Sequence, residues 1–279
     1  MNQTILAALF ALSAAIAWGA GDFTGGLNAR RIGAFHALLI SFFFGIAALV
    51  VLALTLNESQ PAQSDVLLGA LAGLFGTAGF LFLLRGFAIG RMSIVAPLSA
   101  VLAAALPVLL TAAIEGLPRA IQLWGFGVAF LSIWLLSSHE AGEERPAGIG
   151  LALLAGLAFG VFFITLDQIG DGAIFWPLVA GRAASITVML AYVLLARQPF
   201  IPTDPPWAWL VLGGVLDVTG NLFFLLAVQT GRLDIASVLV SLYPAVTVLL
   251  ALLIAKEEMT RAQMLGVGAA ILAIVLITV

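Results

Sequence analysis

The feature that leaves this chain fewest ways to fold is a succession of ten apolar runs, each about the length of a membrane span. They lie near residues 4–24, 34–55, 66–89, 93–114, 120–138, 147–167, 174–196, 207–229, 234–255 and 261–279. Crossing a hydrocarbon core of roughly 30 Å takes about 20 residues of helix. Of the 279 residues, 63% are hydrophobic and only 9% charged, whereas a soluble domain has about a quarter of its residues charged. Such a chain cannot cover itself with polar surface. The fold class expected is an all-α integral membrane protein of ten transmembrane helices joined by short turns. The run from Met1 to Gly21 lacks the positive flank of a secretory signal and reads as the first span. The longest polar connections run from Asn57 to Asp65, Ser137 to Pro146 and Gln198 to Pro206.

Composition removes several classes of function. Cysteine is absent, and His36 and His139 stand far apart, so neither a thiolate nor a clustered His/Glu metal site is expected, and no cofactor is implied. The net charge of −3 and a lone lysine, Lys256, offer no basic patch for nucleic acid. No Ser/His or paired-Asp arrangement falls on adjacent helices, which argues against an intramembrane enzyme.

Sliding the chain on itself by 141 residues aligns its two halves without a gap. The shift pairs Ala17-Trp18-Gly19 with Ala158-Phe159-Gly160, Gly73 with Gly214, Gly79 with Gly220, Leu81-Phe82 with Leu222-Phe223, and Gly90-Arg91 with Gly231-Arg232. It continues through Gln122/Gln263, Gly125/Gly266 and Gly127/Gly268. Chance apolar matching explains paired leucines but not the Gly-Arg and Gln coincidences. The domains expected are a five-helix repeat over 1–138, a connection over 139–146 and a second repeat over 147–279. Five is odd, so the second unit enters the membrane from the side opposite to the first. Inverted repeats are the architecture of many secondary transporters, with substrate near the midplane between rocking halves. One chain holds both halves, so a monomer suffices to build a pathway.

With these features in place, the sequence resembles the drug/metabolite transporter superfamily, and within it the EamA family. The residues that carry the resemblance are Trp18-Gly19-Ala20-Gly21-Asp22-Phe23 with Gly25-Gly26, the Gly90-Arg91 and Gly231-Arg232 turns, and Tyr243-Pro244 followed by Glu257. The resemblance implies a ten-helix exporter of small metabolites, with YddG-type amino acid exporters as the nearest functional analogue, in a bacterial inner membrane. The expected partners are therefore the lipid bilayer, a small solute such as an amino acid, and protons if export is driven by them.

An ionisable group near the bilayer centre costs several kcal/mol unless paired or wet, so each one is a candidate site. Asp217 lies mid-way along the eighth span with Asn221 one turn further on the same face. Together they suit an ammonium group or proton exchange, and pairing of Asp217 with Arg182 for packing is the structural alternative. Arg182 stands two turns inside the seventh span, too deep to snorkel easily. Trp18, Phe80, Phe159, Trp176 and Tyr243 are candidates to line a cavity with broad apolar contact. Trp124, Trp134, Trp207 and Trp209 fit an interfacial belt. Proline deletes a helical hydrogen bond, so Pro97, Pro107 and Pro244 are expected to bend two repeat-equivalent spans and act as gates. Asp22 and Asp167 read as solvated helix ends, His36 as an interfacial residue, and Glu257 with Arg261 as a structural i, i+4 pair.

Connections after odd-numbered spans carry Arg30, Arg31, Arg91, Arg145, Arg197, Lys256 and Arg261, against Arg119 and Arg232 after even-numbered ones. The positive-inside rule then places both termini outside, whereas EamA proteins are drawn with both in the cytoplasm, so orientation stays open. Two rival cargoes follow from the superfamily. Lipophilic cations need an acid in an aromatic chamber, which Asp217 supplies, and sugar phosphates need interior basic residues, which are scarce.

Overall fold

The computed structural model describes residues 3–56, 58–59, 61–115, 120–136, 147–170, 172–195, 197, 199–230, 240 and 242–278. Ten helices are resolved there: α1 (Gln3–Ile32), α2 (Ala34–Thr55), α3 (Gln63–Ile89), α4 (Met92–Glu115), α5 (Ala120–Leu136), α6 (Ile149–Asp167), α7 (Phe175–Leu195), α8 (Trp207–Thr230), α9 (Tyr243–Leu253) and α10 (Arg261–Thr278). Six of them, α1, α2, α3, α6, α7 and α8, are long and apolar enough to cross a membrane, and the apolar parts of the other four are shorter. The expected connection at 139–146 and the Gly231-Arg232 turn lie outside the described residues, as do Arg119, Arg145 and His139.

Two boundaries differ from the sequence expectation in ways that matter. The first span was expected to end near 24, where Asp22, Thr24, Gly25 and Gly26 crowd together. Instead α1 runs on to Ile32 and breaks at Gly33, whose φ of 82° suits glycine. The polar cluster is internal: Asp22, Thr24 and Asn28 are buried, and the Thr24 hydroxyl donates to the Gly21 carbonyl at 2.9 Å. The described part of the ninth span begins at Tyr243 with Pro244 in its first turn. Proline costs no helical hydrogen bond there, so Pro244 marks a helix start, whereas Pro97 and Pro107 are interior to α4 as expected.

Packing places the helices in reciprocal pairs. α1 packs on α8 and α6 on α3, α1 on α9 and α6 on α4, and α2 on α8 and α7 on α3, each pair related to the next by the 141-residue shift. α5 packs on α10, its own repeat mate. Apolar side chains face outward, with Trp124, Phe130 and Leu195 each about three-quarters exposed or more, as expected of a surface solvated by lipid. Lipid gives helices no hydrophobic reason to associate, so close van der Waals approach between small residues does that work. A Cβ at Gly73 of α3 would lie 2.3 Å from the Gly181 carbonyl oxygen of α7, and one at Gly214 of α8 would lie 2.3 Å from the Ser41 carbonyl oxygen of α2. Beside the first crossing the Thr77 and Ser185 hydroxyls bond at 2.6 Å.

The loops are tied at both ends. At one end Glu257, between α9 and α10, accepts from the Met92 and Ser93 amides at 3.1 and 3.0 Å, the Ser93 hydroxyl at 2.9 Å and Arg30 at 2.6 Å. It therefore caps α4 and pairs with Arg30, a correction to the expected Arg261 pairing. Arg31 bonds Asp204, and His36 meets the Pro199 carbonyl at 2.9 Å, at the same end. At the opposite end Glu58, between α2 and α3, accepts from the Phe175 and Trp176 amides at 2.9 Å and so caps α7.

Candidate functional site

A cavity with about 700 Å³ of space free of protein atoms, part of it open to the exterior, lies at the centre of the bundle. α1 contributes Trp18 and Asp22, α3 Gly69, Gly73, Gly76 and Phe80, and α6 Phe159, Phe162 and Phe163. α7 adds Leu178, Gly181 and Arg182, α8 Asp217 and Asn221, and α9 Tyr243. Helices of both halves wall it. Glycines on the α3 face leave the room that aromatic rings on α1, α6 and α9 then border.

Its polar groups are few and close together. Arg182 on α7 forms an ion pair with Asp217 on α8, and both side chains are largely buried, at 12% and 14% exposure. The guanidinium also sits 4.0 Å over the Phe42 ring, a face that attracts cations. The Asn221 amide reaches the same Asp217 oxygen, Oδ2, at 3.5 Å, while Oδ1 of Asp217 is buried without a hydrogen-bond partner among the described residues. Trp18 packs its indole against Phe163, Phe224 and, edge-on, Tyr243 at 6.2, 5.5 and 6.3 Å between centroids. Phe80 meets Phe159 edge-on at 5.2 Å.

Seven of the eight residues singled out as cavity candidates therefore come together here: Trp18, Phe80, Phe159, Arg182, Asp217, Asn221 and Tyr243. Trp176 stands apart, packed in a cluster with Leu49, Phe175 and Leu178, its indole directed 3.4 Å from the Glu58 carbonyl. Asp167 is exposed at the end of α6, as expected. Asp22 is not at a helix end. It is 4% exposed inside α1, with Oδ2 unpartnered among the described residues. Sequence reasoning also missed Phe162 and Phe163. Their spacing of three and four residues from Phe159 puts them on its face of α6, and that was the available signal.

A second, smaller cavity of about 440 Å³ adjoins the first. Trp18, Asp22, Phe80 and Asp217 line both. Its remaining walls include Ala37, Ser41, Gly213 and Gly214. Under the 141-residue shift these four are the mates of Leu178, Arg182, Ala72 and Gly73, which line the large cavity. The shared residues behave likewise: Trp18 maps onto Phe159, Asp22 onto Phe163, Phe80 onto Asn221, and Asp217 onto Gly76. Much of the lining of the two cavities is thus related by the 141-residue shift, with mostly different side chains at the paired positions.

A bundle of apolar helices around a central cavity that holds a buried ion pair, Arg182 with Asp217, defines a multi-pass membrane protein. Residues 5–138 and 146–279 each match the EamA-like transporter family, and the chain belongs to that family, within the drug/metabolite transporter superfamily. Its members are transporters rather than enzymes. An uncharacterized protein of Methanocaldococcus jannaschii is 28% identical over 131 residues, which is 94% of that protein but 47% of this chain. One solved crystal structure is similar over 97% of this chain and 95% of its own, with a TM-score of 0.66 at 18% identity, a likeness of fold alone.

Proposed function

We propose that the protein is a secondary transporter that exports a small ammonium-bearing metabolite, an amino acid being the favoured cargo, across a bacterial inner membrane. The observation that carries this reading is the pair of adjoining cavities built from repeat-equivalent residues around one partition of Trp18, Asp22, Phe80 and Asp217. In an inverted duplication, exchanging the conformations of the two halves turns each cavity into the other. The large cavity closes as the small one opens, and a solute bound at the partition changes sides. Reciprocal helix packing across the 141-residue shift supports a two-fold relation between the halves, their odd number of spans makes it an inversion, and a relative of about half this chain's length supports a unit of one repeat over 1–138 and 147–279.

Cargo chemistry follows from the walls. Aromatic rings favour an apolar body, Arg182 offers a donor for a carboxylate, and the cavity's carboxyls, Asp22 and Asp217, offer acceptors for an ammonium. A lipophilic cation is the second reading, favoured by the surplus of carboxyl over guanidinium in the cavity. Sugar phosphates fit less well, because a phosphate's two negative charges meet one arginine and two carboxyls among the lining residues.

Uptake into proteoliposomes of labelled amino acids, with lipophilic cations and sugar phosphates alongside, tests the reading. Saturable amino acid flux is expected. Flux of cations alone would transfer the assignment to the second reading, and sugar phosphate flux would defeat both.

A further inference from the structure

Asp22 is a buried carboxyl of the partition whose Oδ2 has no hydrogen-bond partner among the described residues. α8 brings Asp217 toward it: a Cβ at Gly21 would lie 3.8 Å from the Asp217 amide nitrogen, which puts the two acids at one level of the bundle. That acid is already paired with Arg182 of α7. α9 brings Tyr243, and α3 brings glycines and Phe80. α2 brings Ser41 and Phe42, its His36 being held at the bundle end by Pro199. α4 carries no titratable group among its described side chains. Further along α1, Arg30 is engaged by Glu257 and Arg31 by Asp204. Among the described residues, then, Asp22 faces no counter-ion of its own.

The charge count of the cavity follows. Arg182 and Asp217 cancel, so an ionised Asp22, itself buried, leaves one uncompensated negative charge among mostly apolar walls, at a cost of several kcal/mol. Something positive must accompany it. We propose that Asp22 is the exchange site at which a proton and the ammonium group of the cargo replace one another. The carboxyl lines both cavities, so whichever is open presents it to that side. When cargo enters, its ammonium takes the carboxylate as the proton departs to water. On the opposite side a proton returns as the ammonium leaves. For an amine the cycle moves one positive charge each way, and for a zwitterionic amino acid it moves one net charge, the proton's. The inference rests on the transport reading above and deepens it by naming the coupling ion and its residue.

Two measurements on the full-length protein separate this inference from that reading. Infrared difference spectra taken across a pH step should show a protonated-carboxyl band that Asp22→Asn abolishes, with no cargo present. In proteoliposomes carrying an imposed pH gradient, labelled phenylalanine and its carboxylate-free counterpart phenethylamine are the probes. Gradient-driven accumulation of the transported probe should fall at least tenfold in Asp22→Asn, and the residual flux should lose its pH dependence. Asp22→Glu keeps the acid should Asp22→Asn fail to fold, and should retain accumulation with a shifted pH profile. An unchanged carboxyl band in Asp22→Asn, or wild-type accumulation and pH profile in that variant, would overturn the inference. An intact Asp22-dependent band with no flux of either probe would contradict the transport reading while supporting proton exchange at Asp22.

Discussion

Asp217 and Arg182 can be tested apart from their contribution to folding. Removing one partner of a buried pair leaves the other charge unpaired, so Asp217→Asn should cost about 3 kcal/mol of stability as well as transport. The double change Arg182→Met with Asp217→Leu removes both charges and should recover most of that stability in thermal unfolding, with flux still at least tenfold down. Recovery of flux together with stability would reduce the pair to packing. Glu257 carries a different prediction. Burial raises its carboxyl's affinity for protons, but the Ser93 amide, Arg30, the Met92 amide and the Ser93 hydroxyl outweigh it, so it titrates below the usual carboxylate range. A lowered folded-state value means that its stabilisation is present above the ordinary carboxylate value of about 4.3 and is lost as pH falls through the lowered one. Glu257→Gln should therefore lower the midpoint of thermal unfolding at neutral pH and flatten its decline in acid. A variant with the wild-type acid profile would show that the cap contributes nothing. At this scale the sequence was legible where polarity interrupted an apolar run, as at Asp217, Asn221 and Arg182. It was misleading at Asp22, because a cluster of small and polar residues looks the same whether it ends a helix or faces a cavity.

Among the elements, α3 and α8 approach their neighbours closely, α3 through Gly73 on Gly181 and α8 through Gly214 on Ser41. Gly73→Val has no room at the α3–α7 crossing and should destabilise by about 1–3 kcal/mol, read from thermal unfolding in detergent. A neutral result would mean that the helices can separate without cost. Pro97 is buried inside α4, whereas Pro244 opens α9. Pro97→Ala should therefore slow maximal transport with little change in half-saturation, while Pro244→Ala should be nearly silent. Equal effects at both prolines would contradict this difference. Hydropathy located most helices within a few residues, because the length of an apolar run is a direct physical requirement of spanning a bilayer. It failed at the end of α1, where helix continuation depends on partners in α3 and α4 that a one-dimensional pattern does not contain.

For the molecule as a whole, one constant 141-residue shift is what the sequence offers for a two-part organisation, but the relation between the two cavities' linings was not legible there, since it needs residues from six helices placed together. The central claim is that one site is reached alternately through these repeat-related cavities. The chain has no native cysteine, so single cysteines at Leu178 and at its repeat mate Ala37 report on the large and small cavities without background. The most direct measurement is labelling of Leu178→Cys and Ala37→Cys by a membrane-impermeant thiol reagent applied from each side of oriented vesicles, before and after saturating phenylalanine. The account predicts reactivity of the two positions from opposite sides, changing in opposite directions when solute is added. Reactivity of both from the same side, or changes in the same direction, would contradict it.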